Sequence, residues 1–252
     1  MKHIKKKFLG KVRVSEEVVS SLNQMTVSAP PKATDLSGMV AWGLNDDNEF
    51  ISMFQLKDGK NTYIMPEPDL VICLFEMGRQ NAIRIPDLRK KLLSSLNSTH
   101  DTFVSTNDFY AAASIASTSL INAMESYINR IIPNDFRYEV ETVKNTVIQN
   151  KKQLERNASF EEKIKYIVPQ ALQKVFHTTY SSQYDSIISL KKLRDEMTHM
   201  KSYSEEKKPL SYAEIYNMAF KIDYLKALNA VKTYFNYYTD NLIEPCPCGS
   251  DF

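Results

Sequence analysis

The 252-residue chain is 43% hydrophobic and 25% charged, and its 32 Lys and Arg against 30 Asp and Glu leave a formal charge of +2. That length suffices for one large or two modest domains with real cores, and the near-neutral balance excludes bulk electrostatic attraction to nucleic acid, so any such binding must be local. Six glycines and one tryptophan argue against a glycine-rich phosphate loop, a β-propeller or a turn-rich all-β fold.

The opening "MKHIKKKFLGKV" is basic but has no apolar run of signal-sequence length, and no later segment approaches a membrane span, so a cytoplasmic protein is expected. The "KHIKKK" start is either a solvated basic stretch or a contact for RNA phosphates. "MVAWGL" (39–44) and "FISMFQLKDGKNTYIMP" (50–66) read as short strands, the second broken by the turn dipeptide Asp58-Gly59. "DLVICLFEM" and "IPDLRKKLLSSL" have helical spacing, the latter at Leu88, Leu92, Leu93 and Leu96. Residues 1–100 are therefore expected to form a small α+β domain, in which Cys73 is a small buried hydrophobe.

Beyond that the period is 3.6. In "DFYAAASIASTSLINAMESYINRII" (108–132), Phe109, Ala113, Ala116, Leu120, Ala123 and Tyr127 make one stripe, and Ile115, Ile121, Met124 and Ile128 broaden it. Such a helix belongs at the centre of a bundle, capped by one of residues Ser105 to Asp108 and stopped by Pro133. "YEVETVKNTVIQNKKQLERN" (138–157) reads as a polar surface helix. Ser159 and Glu162 form a capping-box start for a helix over 160–176 that Pro169 should kink. Two more helices, "YDSIISLKKLRDEMTHMK" and residues 211–243, complete an expected antiparallel bundle over 101–243, giving a mainly α protein. The aromatics of "YFNYYTD" either pack the last helix or offer a base-stacking platform.

On the helix ending in "LRDEMTHM", Ile187, Leu190, Leu193, Met197 and Met200 share a stripe. Asp195 and His199 point away from it, with Arg194 at its flank. Two readings stand: a solvated pair of modest i, i+4 value, or chemistry. On the 108–132 helix, Thr118, Asn122, Glu125 and Asn129 recur at spacings of four, three and four. Buried carboxylate and amide groups need polar partners, so the two polar strips are expected to meet.

"RDEMTH" resembles the HEPN signature of an arginine, a polar residue, three variable positions and a histidine. "LINAMESYIN" is similar to that family's early Glu- and Asn-bearing helix, and "SFEEKIKYI" to the opening of its next helix. The resemblance covers roughly residues 105–240. It implies a metal-independent endoribonuclease, a toxin or anti-phage defence effector, acting as a homodimer on RNA with no cofactor. Arg194 and His199 would then be catalytic, Asp195 would support them, and Glu125, Asn129 and Asn122 would line the site. The five-residue spacing of Arg194 and His199 separates them by about 140° round the helix, so a two-fold axis beside it would best bring both groups into one cleft. In such a cleft imidazole can serve as base and acid, and a guanidinium can bind the oxygens of a phosphorane. Toxins of this family paired with nucleotidyltransferase antitoxins often carry a tyrosine two positions after the histidine. Here that position is Lys201, and the nearest tyrosine is Tyr203.

"PCPCGSDF" (245–252) resembles the first half of the SEC-C zinc motif. A structural zinc needs four ligands and this tail supplies two, Cys246 and Cys248, so no bound metal is expected. His3, His100 and His177 have no ligand-spaced partners and read as surface residues. The alternative to the nuclease is a non-catalytic HEPN-like dimeric interaction or nucleotide-binding module. In either case residues 1–100 would sense a trigger, bind a partner such as an antitoxin, or shield the site.

Overall fold

The computed structural model describes residues 11–12, 41–44, 50–141, 146–198 and 212–243. It is mostly helical with two small antiparallel sheets, and the chain divides into two compact units, residues 1–73 and 74–252.

In the first unit, strands β1 (Lys11–Val12), β2 (Ala41–Leu44) and β4 (Asn61–Pro66) all pair antiparallel with β3 (Phe50–Asp58). Asp58 lies opposite Asn61, so the β3–β4 loop is Gly59-Lys60. Gly59 has φ 57°, the left-handed conformation that a two-residue hairpin loop requires and that glycine adopts without strain. Asp69 Oδ1 accepts from the backbone N–H of Val71 (2.9 Å) and Ile72 (3.3 Å) at the start of α1 (Leu70–Ala82), the helix in which the division between the units falls. Cys73 is half-buried, and burial, with Asp69 nearby, pushes its thiol above the ordinary range.

In the second unit, α2 (Ile85–Ser94) has its proline in the first turn, and its apolar face is narrower than the leucine spacing suggests. Leu92 is buried while Leu93 and Leu96 are exposed. The central helix α3 (Thr99–Ile131) starts well before the expected cap. Ser98 is the N-cap, its hydroxyl accepting from the Asp101 N–H, and "STND" at 105–108 lies inside the helix. There Ser105 is buried, and Asp108 pairs with Lys91 of α2 at 3.1 Å. At 33 residues α3 is about 50 Å long. Phe109, Ala113, Ala116, Leu120, Ile121, Ala123, Met124, Tyr127 and Ile128 are all buried, whereas Ile115 is exposed. α1 approaches α3 so closely at Gly78 that a Cβ there would sit 2.6 Å from Leu120 Cγ.

The expected helix over 138–157 is instead a hairpin, β5 (Arg137–Glu141) against β6 (Thr146–Asn150), followed by the short α4 (Lys151–Asn157). The alternation of Tyr138 and Val140 with glutamates, and the β-branched Val147 and Ile148, suit a pleated ribbon. Asn150 ends it by starting α4 with a reciprocal capping box to Gln153. After α5 (Phe160–Glu162), the chain passes through a π-helical turn, Lys163–Ile167, into α6 (Val168–Leu172). The turn lies just before Pro169, which has no N–H to donate, and it takes up the distortion expected of that proline. The helix ends at Leu172 rather than 176, with Gln173 in the left-handed conformation.

The short α7 (Phe176–Thr179) leads to α8 (Ser181–Thr198). The expected last helix is two, α9 (Tyr212–Lys221) and α10 (Tyr224–Tyr238), because Asp223 accepts from the Lys226 N–H at 3.0 Å and caps a new start. α3 packs against α2, α8, α9 and α10, and α8 packs against α9 and α10, forming a helical bundle. Tyr234 and Phe235 are buried, and their rings meet Phe176 and Tyr127 at centroid distances of 4.9 and 4.7 Å, so these two aromatics of "YFNYYTD" pack the core, while Tyr237 and Tyr238 are half-buried. Among the described residues no helix is long and apolar enough to cross a membrane.

Candidate active site

The site lies where α3 meets α8. Ile187, Leu190 and Leu193 bury one face of α8, which leaves Arg194, one position on, at the edge of the buried face and directed towards α3. Its Nη2 donates to Glu125 Oε1 across the two helices, and its Nη1 lies 3.2 Å from Asp195 Oδ1. Asp195 Oδ2 in turn accepts from Lys191 Nζ at 2.5 Å. The Arg194 side chain is 16% exposed and that of Glu125 40%, so the pair sits at the margin of the core with one side reachable by water. Arg194 Nε is buried and has no hydrogen-bond partner among the described residues.

One turn along α3 from Glu125, Asn129 Oδ1 accepts from Lys163 Nζ at 2.9 Å, and the same ammonium donates to the Glu155 carbonyl at 3.2 Å. Lys163 is 5% exposed. Burial pushes its ammonium below the ordinary lysine value, opposed by the nearby Glu125 and Glu155. Among the described residues the network is thus Lys191, Asp195, Arg194, Glu125, Lys163 and Glu155, three cations and three carboxylates whose charges balance. The guanidinium has N–H donors beyond those directed at Glu125 and Asp195, and these can serve an anion.

The structure brings together Arg194, Asp195, Glu125 and Asn129. Asn122, one turn before Glu125, is half-buried and makes no side-chain hydrogen bond among the described residues. His199 lies outside the described residues, as do Met200, Lys201, Tyr203, His3, Cys246 and Cys248. His177 is half-buried in α7, its ring 6.0 Å from that of Tyr184. Among the described residues no group of three or more His, Cys, Asp or Glu side chains is placed to hold a metal ion. The residue that sequence reading passed over is Lys163, and its signal was positional. It falls on the stripe of Phe160, Ile164, Ile167 and Val168, all buried, where a lysine must find an internal partner.

A more buried ion pair lies within α1, where Glu76 accepts from Arg79 Nε and Nη2, both at 2.6 Å, and from Gln80 at 2.9 Å. Burial raises the Glu76 carboxyl, but these hydrogen bonds outweigh it and hold the group below its ordinary value. Comparison of the chain with models of known protein families, with curated proteins and with solved structures returns no match.

Proposed function

We propose that the protein is a HEPN-type endoribonuclease that cleaves RNA without a metal, as a toxin or anti-phage defence effector, at a site shared by two copies of the chain. The observation that carries this reading is the ion pair of Arg194 with Glu125. It joins α8, through the arginine of "RDEMTH", to the polar stripe of the central helix, and holds a guanidinium at a margin that water reaches.

In this reading α8 lies beside a two-fold axis of an antiparallel HEPN-like bundle, and the two copies face one cleft. His199, one residue past the described end of α8, takes the proton of the substrate's 2′-hydroxyl. The 2′-oxygen attacks the adjacent phosphorus, and an imidazole protonates the departing 5′-oxygen. Arg194 donates to the phosphorane oxygens as their charge grows. Asp195, Glu125 and Asn129, with Asn122 on the same face, orient the guanidinium and line the cleft. Products end in 2′,3′-cyclic phosphate. Residues 1–100 receive a trigger or an antitoxin partner in the cytoplasm.

The experiment is incubation of the purified protein with total RNA in EDTA, beside His199→Ala and Arg194→Lys variants whose circular dichroism matches the parent. Fragments with cyclic phosphate ends from the parent alone support the reading, and equal cleavage by all three rejects it. A second reading, a non-catalytic HEPN-like dimeric interaction or nucleotide-binding module, is favoured by the engagement of both Arg194 Nη groups with carboxylates, as in a structural ion pair. Expression separates the two: only the nuclease slows its host's growth, and His199→Ala relieves that effect.

A further inference from the structure

The break between α9 and α10 opens two adjoining clefts on the bundle. The larger, about 850 Å³, lies between α8, α9 and α10 and is lined by Lys192, Lys221 and Lys226 with Glu214 and Asp223. The smaller, about 410 Å³, lies between α2 and the α9–α10 turn and adds Arg89 and Lys90. Both are lined by Lys221, Ile222 and Asp223, so together they make one groove. Among the described residues five cations face it against two carboxylates, in a chain whose whole excess is +2.

These cations are not spent internally. Among the described residues no carboxylate lies within ion-pair distance of Lys192, Lys221 or Lys226, and Arg89 lies over the Phe220 ring at 4.2 Å, a contact that leaves its N–H groups available. Lys90 has a loose pair with Asp87 at 3.8 Å, both more than four-fifths exposed. Asp223 is occupied as the cap of α10. A single small anion satisfies one or two ammonium groups. Five cations carried on four helices across two connected clefts suit a ligand whose negative charge repeats along its length. The one aromatic ring that lines the groove among the described residues, Tyr224, is buried, and its hydroxyl donates to the Ala219 carbonyl at 3.0 Å. The described lining residues therefore offer bases no exposed stacking face, and contact runs through the phosphates.

The geometry points to this groove as a docking track for the phosphodiester backbone of a single RNA strand, bound without sequence preference and apart from Arg194. The choice of RNA over another polyanion rests on the proposed nuclease reading, while binding is measured independently of cleavage. Each phosphate neutralised releases counterions, so affinity falls with salt by about 0.7 in logarithmic slope per contact on a single strand.

The probe is a fluorescein-labelled 2′-O-methyl oligouridylate, which has the phosphodiester backbone but no free 2′-hydroxyl to attack. Its anisotropy is titrated with the full chain across a salt series, and with the Lys192→Ala/Lys221→Ala/Lys226→Ala variant. The expected result is at least tenfold weaker binding by the variant and a salt slope smaller by about 2. All three side chains belong to exposed residues, and circular dichroism checks that the fold is unchanged. Equal binding by variant and parent overturns the inference, as does no binding by the parent. Displacement by ATP or polyglutamate as effective as by unlabelled oligonucleotide also overturns it, in favour of a mononucleotide or an acidic peptide. A parent that binds the probe but leaves ordinary RNA intact removes the nuclease reading and keeps the groove. A variant that binds like the parent while RNA is still cut does the reverse.

Discussion

Glu125 and Arg194 should be energetically coupled, and the geometry sets the size. A hydrogen bond to a charged group contributes about 1.5–3 kcal/mol when desolvated, and an exposed ion pair about 0.2–1 kcal/mol. With Arg194 16% and Glu125 40% exposed, water competes for the carboxylate more than for the guanidinium, which places the coupling at about 1–2 kcal/mol. The two single substitutions should also be unequal. Glu125→Ala strips a partner from a guanidinium that already has a buried, unpartnered Nε, and should cost about 2 kcal/mol. Arg194→Met keeps the packing of the stem and leaves a carboxylate that water can reach, and Asp195 retains Lys191, so it should cost about 1 kcal/mol. The assay is urea unfolding of the parent, both single variants and the double variant, read as a cycle at one salt concentration. A coupling below about 0.5 kcal/mol, the scatter of independent sites, would refute the claim that these helices are joined through this pair.

Replacing Lys163 by Ala should destabilise by about 2–3 kcal/mol, because Asn129 Oδ1 and the Glu155 carbonyl each lose a charged donor. Lys163→Met, which also removes the cost of burying an ammonium, should cost visibly less in the same unfolding assay. Because the folded ammonium releases its proton more readily than the unfolded one, parental stability should rise with pH from the folded value up to the unfolded value near 10.4, and Lys163→Met should abolish this contribution. Gly78→Ala should destabilise by about 1–3 kcal/mol, since its Cβ would press on Leu120, and Leu120→Ala should cost less on that background than in the parent if overpacking is the cause. Glu76 has a depressed folded value, so its contribution is complete above the unfolded value near 4.3 and fades as pH falls through the folded one. The stability gap between the parent and Glu76→Gln should shrink on going from pH 7 to pH 3; a gap independent of pH would contradict this.

The meeting of α3 and α8 was legible because Thr118, Asn122, Glu125 and Asn129 form a polar line on a helix otherwise covered in apolar groups, and such a line demands a partner. The hairpin at 137–150 was hidden because glutamate, lysine and asparagine dominate its composition, and only the alternation of Tyr138 and Val140 marked its period of two. The start of α3 was misplaced because "STND" has cap chemistry, yet the extended Ser98 takes the cap and the helix continues through those residues. The division of the last helix into α9 and α10 was concealed by an apolar period running through Ile222. Asp223 decides it locally by capping, and that same break shapes the basic groove. Lys163 escaped notice because a lysine on an amphipathic helix is ordinarily solvated, and only its place among Phe160, Ile164 and Ile167 set it apart.

The most direct measurement of the shared site is subunit mixing. Arg194→Lys and His199→Ala proteins are each inactive towards RNA in the proposed scheme, because every dimer of one kind lacks both copies of one group. After the two are mixed and allowed to exchange, cleavage should reappear in proportion to the mixed dimers counted by native mass spectrometry. Mixed dimers that form and remain as inactive as either parent variant would contradict a cleft that pools one guanidinium and one imidazole from two chains.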